Sequence, residues 1–279
     1  MPVQVYEPYT YQLPPLGKYL RELWERRVFA YHSARATLRG RNYETVFGQL
    51  WLVINPLLLA LVYLMLITVI SQSSSGSWLN RFANLVGGLF AYFYTRNVIQ
   101  LSSTSITGGG KMIMNMAFPK ALLPLSQLFS SALMYLPTLL VYGAIHLLDG
   151  RPLGLADLWL VPIFVIQSVF SFGAGLLCAA ATVYFRDVAS LLPYLLRMWI
   201  YVSPVLYTVA QVREKLGTHK WLLHLNPLYS MLGSWNEVLE RGHAPTGSLI
   251  LESIAWAGGA LVVGGWFFLS REREFAVRI

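Results

Sequence analysis

Six stretches of this chain are apolar for long enough to cross a bilayer as helices, and this limits its folds more than any other feature. They lie at about 47–70, 83–106, 119–148, 156–184, 188–209 and 248–269. Crossing about 30 Å of hydrocarbon takes roughly 20 helical residues. Inside the bilayer every backbone polar group needs an internal partner, so such runs read as helices. The third and fourth exceed the minimum and are expected to tilt, kink or emerge, with Pro124 and Pro137 as kink points in the third. The charge content agrees. Only 12% of the 279 residues are charged and 56% are hydrophobic, against about 25% charged in soluble domains. That excludes a disordered chain and argues against a soluble enzyme.

Residues 221–235 form a further apolar run that is too short to span and is interrupted by Pro227. A re-entrant or interfacial hairpin on the outer side, tucked against other helices, is expected there. Ahead of the first span, Leu16, Leu20, Leu23, Trp24 and Tyr31 recur at helical spacing, with Lys18, Arg21, Glu22, Glu25 and Arg26 on other faces. This pattern predicts an amphipathic helix over about 15–33, lying on the inner leaflet; a solvated helix packed on a partner subunit is the competing reading. Residues 1–46 are polar and lack the apolar core of a cleavable signal.

Six spans put both termini on one side. With both inside, the inner segments hold thirteen cations: Lys18, Arg21, Arg26, Arg27, Arg35, Arg39, Arg41, Lys111, Lys120, Arg186, Arg271, Arg273 and Arg278. The outer segments hold six: Arg81, Arg151, Arg213, Lys215, Lys220 and Arg241. This bias orients both termini to the cytoplasm and assigns the net charge of +8 to positive-inside loops rather than to nucleic acid.

Catalytic constellations are hard to assemble from these residues. There is no Asp-x-Asp pair for a metal–pyrophosphate, and the five histidines are scattered. His219 and His224 are five apart, which does not place two metal ligands on one helical face. Cys178, alone in an apolar run, reads as a packed thiol. Gly108-Gly109-Gly110-Lys111 resembles the end of a phosphate-binding loop, but Ser105 and Met112 stand where the pattern needs Gly and Ser or Thr. The segment reads instead as a flexible break followed by a short cytoplasmic helix at about 111–118.

Two cations fall inside spans, where a charge marks function or packing. Arg96 shares a helical face with Phe93, Gln100, Ser103, Thr104 and Thr107, a polar stripe that could line a path or bind neighbouring helices. Arg197 shares a face with Tyr194 and Tyr201, where rings beside a cation could line a route for sugars; snorkelling or packing is the alternative. The run Phe90-Ala91-Tyr92-Phe93-Tyr94 and Trp78 read first as an interfacial aromatic belt.

Four local patterns then converge. Gly48-Gln49-Leu50-Trp51-Leu52-Val53-Ile54-Asn55-Pro56 opens the first span. Phe118-Pro119-Lys120, followed by Leu123-Pro124-Leu125-Ser126, opens the third. Tyr184-Phe185-Arg186-Asp187-Val188 joins the fourth and fifth. Ser203-Pro204-Val205-Leu206-Tyr207 and Leu225-Asn226-Pro227-Leu228 bracket the outer hairpin. Together, over about 15–279, they resemble the Wzm-type permease of ABC polysaccharide and polyol phosphate exporters, which export O-antigen, teichoic acid, capsule or galactan. The chain departs from the family at Asn115-Met116-Ala117, where a basic residue is usual before Phe-Pro, and at Gln49 in the first motif.

The resemblance implies an all-α integral membrane protein of the type-2 ABC exporter permease fold. Its parts would be a cytoplasmic segment at 1–46, a six-helix transmembrane domain at 47–270 and a cytoplasmic tail at 271–279. It implies a homodimer with two copies of a separate ATPase subunit, which holds the ATP and Mg; no cofactor is expected in this chain. A coupling helix at about 111–118 would dock on that ATPase through Lys111, Met112, Asn115, Met116 and Phe118. Outer re-entrant helices would occupy about 212–242. The expected substrate is a polyprenyl-pyrophosphate-linked polysaccharide, cell-wall galactan being the preferred guess, moved across the plasma (inner) membrane. Arg35, Arg39 and Arg41 are then pyrophosphate candidates, with positive-inside anchoring as the alternative. Phe93, Arg96, Gln100, Tyr194, Arg197 and Tyr201 are candidates to line the channel. The alternatives are a type-2 permease for teichoic acid, capsule, a small lipid or a drug, and a membrane-embedded glycolipid enzyme.

Overall fold

The structure, a computed structural model, describes residues 15–41, 45–70, 78–148, 154–205 and 217–279. Every element there is helical: α1 (Leu16–Glu25), α2 (Arg27–Arg41), α3 (Trp51–Ile70), α4 (Trp78–Ser103), α5 (Ser105–Gly108), α6 (Gly110–Asn115), α7 (Leu122–Leu148), α8 (Leu160–Tyr184), α9 (Asp187–Val202), α10 (Pro227–Arg241), α11 (Gly247–Arg271) and α12 (Phe275–Arg278), with short 3₁₀ turns between some of them.

Among the described residues, four helices are long and apolar enough to cross a membrane: Gly48–Met65, Leu122–Ala144, Leu155–Tyr184 and Gly247–Arg278. The second and fifth expected spans fall short for different reasons. α4 is long enough at 26 residues but is diluted by Asn80, Asn97, Arg96 and Gln100. α9 has 16 residues and ends in a turn at Ser203–Val205; residues 206–216 lie outside the described part.

α8 is the centre of the bundle, with α11, α4 and α7 against it. Its crossing with α11 works because both helices carry glycine at the contact. A Cβ on Gly173 would strike the backbone of Ala260 and Leu261, and one on Gly264 would strike the carbonyl of Gly173. Small residues permit such close backbone approach where lipid supplies no hydrophobic drive.

α10 carries the short apolar run into this bundle, packing on α4, α8 and α11. Leu228, Met231, Leu232, Trp235 and Val238 are fully buried there. Pro227 at its first turn suits a helix start, and the Asn226 side chain accepts from the Leu228 N–H. Gly242 closes it in the left-handed conformation, φ +67°. The first arm of the expected outer hairpin falls largely outside the described residues.

The aromatic run at 90–94 forms core rather than an interfacial belt. Phe90, Tyr92 and Tyr94 are buried. Tyr94 sits 5.2 Å from Tyr135 and 4.8 Å from Phe164, and its hydroxyl lies 2.6 Å from Ser168 Oγ. The Tyr92 hydroxyl donates to the Leu196 carbonyl. A polar node closes the core: Gln167 Nε2 donates to Ala91 O and Thr95 Oγ1, and Gln167 Oε1 accepts from Trp235 Nε1 at 2.6 Å. Buried polar groups need such partners. Pro137 lies inside α7, whereas Pro124 falls in its first turn, where proline costs little.

The single amphipathic helix expected over 15–33 is broken in two at Arg26, whose guanidinium donates to Ala117 O at 3.1 Å. α1 keeps the exposed apolar face of Leu16, Leu20 and Trp24, with Trp24 67% exposed. Leu23 turns inward against the cluster of Ile113, Ala121, Phe268 and Phe275. α2 packs along α7, burying Ala30 and Ala34, so Tyr31 belongs to a different helix and a different face.

Candidate functional site

Arg96 of α4 and Arg197 of α9 both face Tyr63 of α3 electrostatically. The Tyr63–Tyr201 hydrogen bond joins α3 to α9, within electrostatic reach of the guanidinium groups of Arg96 and Arg197. The α9 side is open, with Tyr194, Arg197 and Tyr201 exposed. Tyr63 had no signal in the sequence beyond being a tyrosine in an apolar run.

Arg96 also borders a cavity of about 430 Å³ between α3, α4 and α7. Phe93 and Gln100 line it as the helical spacing predicts, together with Asn55, Asn97, Ser131 and Thr138. The Gln100 Oε1 and Ser131 Oγ atoms are buried without a hydrogen-bond partner among the described residues, and unpaired buried polar groups are costly. The rest of the expected stripe turns back on its own helix: Ser103 donates to Gln100 O, Thr104 to Leu101 O and Thr107 to Thr104 O. Guanidinium, amide, hydroxyl and aromatic groups bind hydroxyl-rich or anionic ligands. Among the described residues no group of three or more His, Cys, Asp or Glu side chains gathers to hold a metal.

At the end of the bundle that holds the C-terminal residues, the short helix expected at 111–118 runs only from Gly110 to Asn115. Met116 is extended at φ −137°, ψ 134°, as suits a chain approaching the Phe118-Pro119 bond. Lys111, Asn115 and Met116 are exposed, Met112 is half-buried and Ile113 is buried. Phe118 lies off the helix and packs 6.5 Å from Phe29. Met114, passed over in the sequence, is the most exposed large apolar side chain of the helix at 63%. The adjacent glycines make close contacts instead of a flexible break. A Cβ on Gly109 would meet Leu123 Cδ1 at 2.7 Å, and one on Gly110 would meet Ile279 Cγ2 at 2.7 Å.

The C-terminal residues hold this region from behind. Glu272 is buried; its Oε1 accepts from the Lys120 backbone N–H at 2.6 Å, and Lys120 Nζ donates to Glu272 O at 2.6 Å. Burial holds the Lys120 ammonium below the usual lysine range and, with the neighbouring Glu272 charge, pushes the Tyr19 phenol well above its own. Tyr19 Oη accepts from the Ala121 N–H. The Tyr184 hydroxyl donates to Glu274 Oε2 at 2.6 Å, and Arg271 and Arg278 both lie over the Tyr184 ring. Phe185 extends past the helix end and is 70% exposed. Arg35 and Arg39 are exposed on α2; the Arg41 side chain lies outside the described part.

Comparisons with known proteins agree with this layout. Residues 34–235 match the family described as ABC-2 type transporter. The chain is 29% identical over 206 residues to the O-antigen export system permease protein RfbA of Klebsiella pneumoniae, covering 74% of this chain and 77% of that protein. It is 26% identical over 267 residues to the protein of the same name from Myxococcus xanthus, covering 93% and 98%. With helices apolar enough to span a membrane and a family match across most of its length, the chain belongs to the ABC-2 type transporter family as a Wzm-like membrane permease.

Proposed function

We propose that this permease is the membrane subunit of an ATP-driven exporter of polyprenyl-pyrophosphate-linked polysaccharide. Arg96, Arg197, Tyr63 and Tyr201 carry the reading. They supply charge and aromatic surface inside the membrane, where isolated charge is costly and where sugars and phosphates find both stacking faces and donors. The names of the Klebsiella and Myxococcus relatives support the same substrate class. A galactan of the cell wall is the narrower assignment.

The working unit in this reading is a homodimer in the plasma membrane, each chain with six spans, cytoplasmic termini and an outer re-entrant hairpin within about 212–242. The transmembrane domain runs over 47–270, between a cytoplasmic segment at 1–46 and a cytoplasmic tail at 271–279. α3 supports the dimer: in Gly48–Met65 only 6% of residues are buried within one chain, and Leu58, Val62 and Met65 are exposed. Symmetric pairing of that face would enclose Arg96 and Arg197 along an axis. ATP and Mg belong to two partner ATPase subunits. Lys111, Met112, Asn115 and Met116 are their docking surface, extended to Met114 and Phe185, with Phe118 behind it as a packing residue. Arg35, Arg39 and Arg41 meet the pyrophosphate at the inner leaflet.

Depletion of the chain in its own cell provides the test. Lipid-linked glycan should accumulate on the inner leaflet and disappear from the cell surface. Unchanged surface glycan after depletion would overturn the reading.

A further inference from the structure

A second cavity, of about 410 Å³, is lined by neither Arg96 nor Arg197. Its walls are α7, the start of α8 and the buried helix α10, with Tyr31 of α2 also bordering it. Leu136, Leu139, Val161, Phe164 and Leu239 make this lining almost wholly apolar. From Phe129 to His146, the α7 wall is about 25 Å long at the helical rise, most of the roughly 30 Å hydrocarbon thickness. A long apolar groove along spanning helices suits one extended hydrocarbon chain.

The far end of the groove breaks the pattern. His146 lines it and is only 5% exposed, yet its Nδ1 has no hydrogen-bond partner among the described residues. Asp157, at the start of the following helical segment, lines the same groove, with Oδ2 accepting from the Gly154 N–H. A buried, unpaired imidazole nitrogen calls for a polar ligand. A carboxylate on the same lining favours a headgroup that also carries a cation. Gly143, on the α7 turn before His146, also lines the groove, and a Cβ there would meet nothing within 4 Å.

We propose that this groove is a binding site for one amine-headed phospholipid, with an acyl chain along α7, phosphate or ester oxygens at His146 and the ammonium towards Asp157. The site rests on the membrane reading of these helices but is independent of the substrate. It holds a structural lipid between α7 and α10, where the short buried helix enters the bundle.

The test uses the full-length permease in phosphatidylcholine nanodiscs carrying a phosphatidylethanolamine with a diazirine on its acyl chain, with labelled peptides mapped by mass spectrometry. Labelling should concentrate on Leu136–Gly143 and Leu160–Phe164, above that of the exposed α11 residues Val262, Val263 and Trp266, which report ordinary boundary lipid. Unlabelled phosphatidylethanolamine should compete it away. His146→Leu should weaken competition by about tenfold or more, the loss of one hydrogen bond to a charged group. Gly143→Leu should block groove labelling while α11 labelling persists. Groove labelling no stronger than that of α11, equal competition by phosphatidylglycerol, or labelling unchanged in both variants would overturn the proposal. Loss of labelling at α11 as well would instead contradict the membrane reading.

Discussion

Glu272 and Lys120 hold each other across 152 positions of sequence: the Lys120 backbone N–H donates to the Glu272 carboxylate, and its ammonium donates to the Glu272 carbonyl. This double contact ties the C-terminal end of α11 to the loop that leads from α6 into α7. Any force on α6 is therefore delivered to a braced segment. Glu272→Ala leaves the buried Lys120 N–H unpaired and should destabilise the protein by about 2–3 kcal/mol. Thermal melting in detergent checks the loss. In the assembled transporter, transport-linked stimulation of the ATPase should fall with it; an unchanged melt and unchanged stimulation would show that the clasp does no work.

The α8–α11 crossing leaves no space for side chains. Gly264→Val should prevent stable accumulation of the protein, because the methyl groups would have to displace the Gly173 backbone, and overpacking commonly costs about 1–3 kcal/mol or more. Gly258→Ala on the same helix meets nothing within 4 Å and should be neutral or stabilising by about 0.5–1 kcal/mol. Expression yield and melting temperature of the pair separate close packing from a general intolerance of substitution in α11.

Gln167 serves three partners at once, so its removal should be felt in α4 and α10 together. Gln167→Leu should cost about 1–3 kcal/mol for the buried groups it strands. Combined with Trp235→Phe, the two losses should be non-additive by about 0.5–3 kcal/mol in a double-mutant cycle. Strict additivity of the melting free energies would mean that the node is not a unit.

Met114, Met116 and Phe185 expose large apolar surface. Exposed patches of this kind mark contact surfaces. The Met114→Ser/Met116→Ser variant should insert normally but recover at least about tenfold less ATPase in co-purification. Phe118→Ala should instead lower the melting temperature, because that ring packs on Phe29. Equal ATPase recovery by the methionine variant would place the docking surface elsewhere.

Periodicity and length made the helices legible, because a bilayer leaves a chain few alternatives. Arg96 and Arg197 stand out because a charge within a long apolar run marks either function or packing. Tyr63 does not, since a tyrosine in an apolar run looks like any belt aromatic until α9 brings Tyr201 to it. The run at 90–94 was misread as a belt because composition does not distinguish a ring at the interface from one buried against α7 and α8. The glycine run at 108–110 reads as flexible; only the fold shows Leu123 and Ile279 occupying the space a side chain would need at Gly109 and Gly110. Glu272 was one charge among several in the tail, and its burial depends on Lys120 and Tyr19, both far away in sequence.

In the proposed function this chain, driven by a partner ATPase, carries lipid-linked polysaccharide past Arg96 and Arg197. The most direct measurement reconstitutes the permease and ATPase into vesicles with radiolabelled lipid-linked polysaccharide and follows its ATP-dependent appearance on the opposite face. The wild-type complex should transport. The Arg96→Ala/Arg197→Ala variant should transport at least about tenfold more slowly, equivalent to about 1.4 kcal/mol, while melting normally and still hydrolysing ATP. Equal rates for the variant, or for vesicles lacking the chain, would contradict the account.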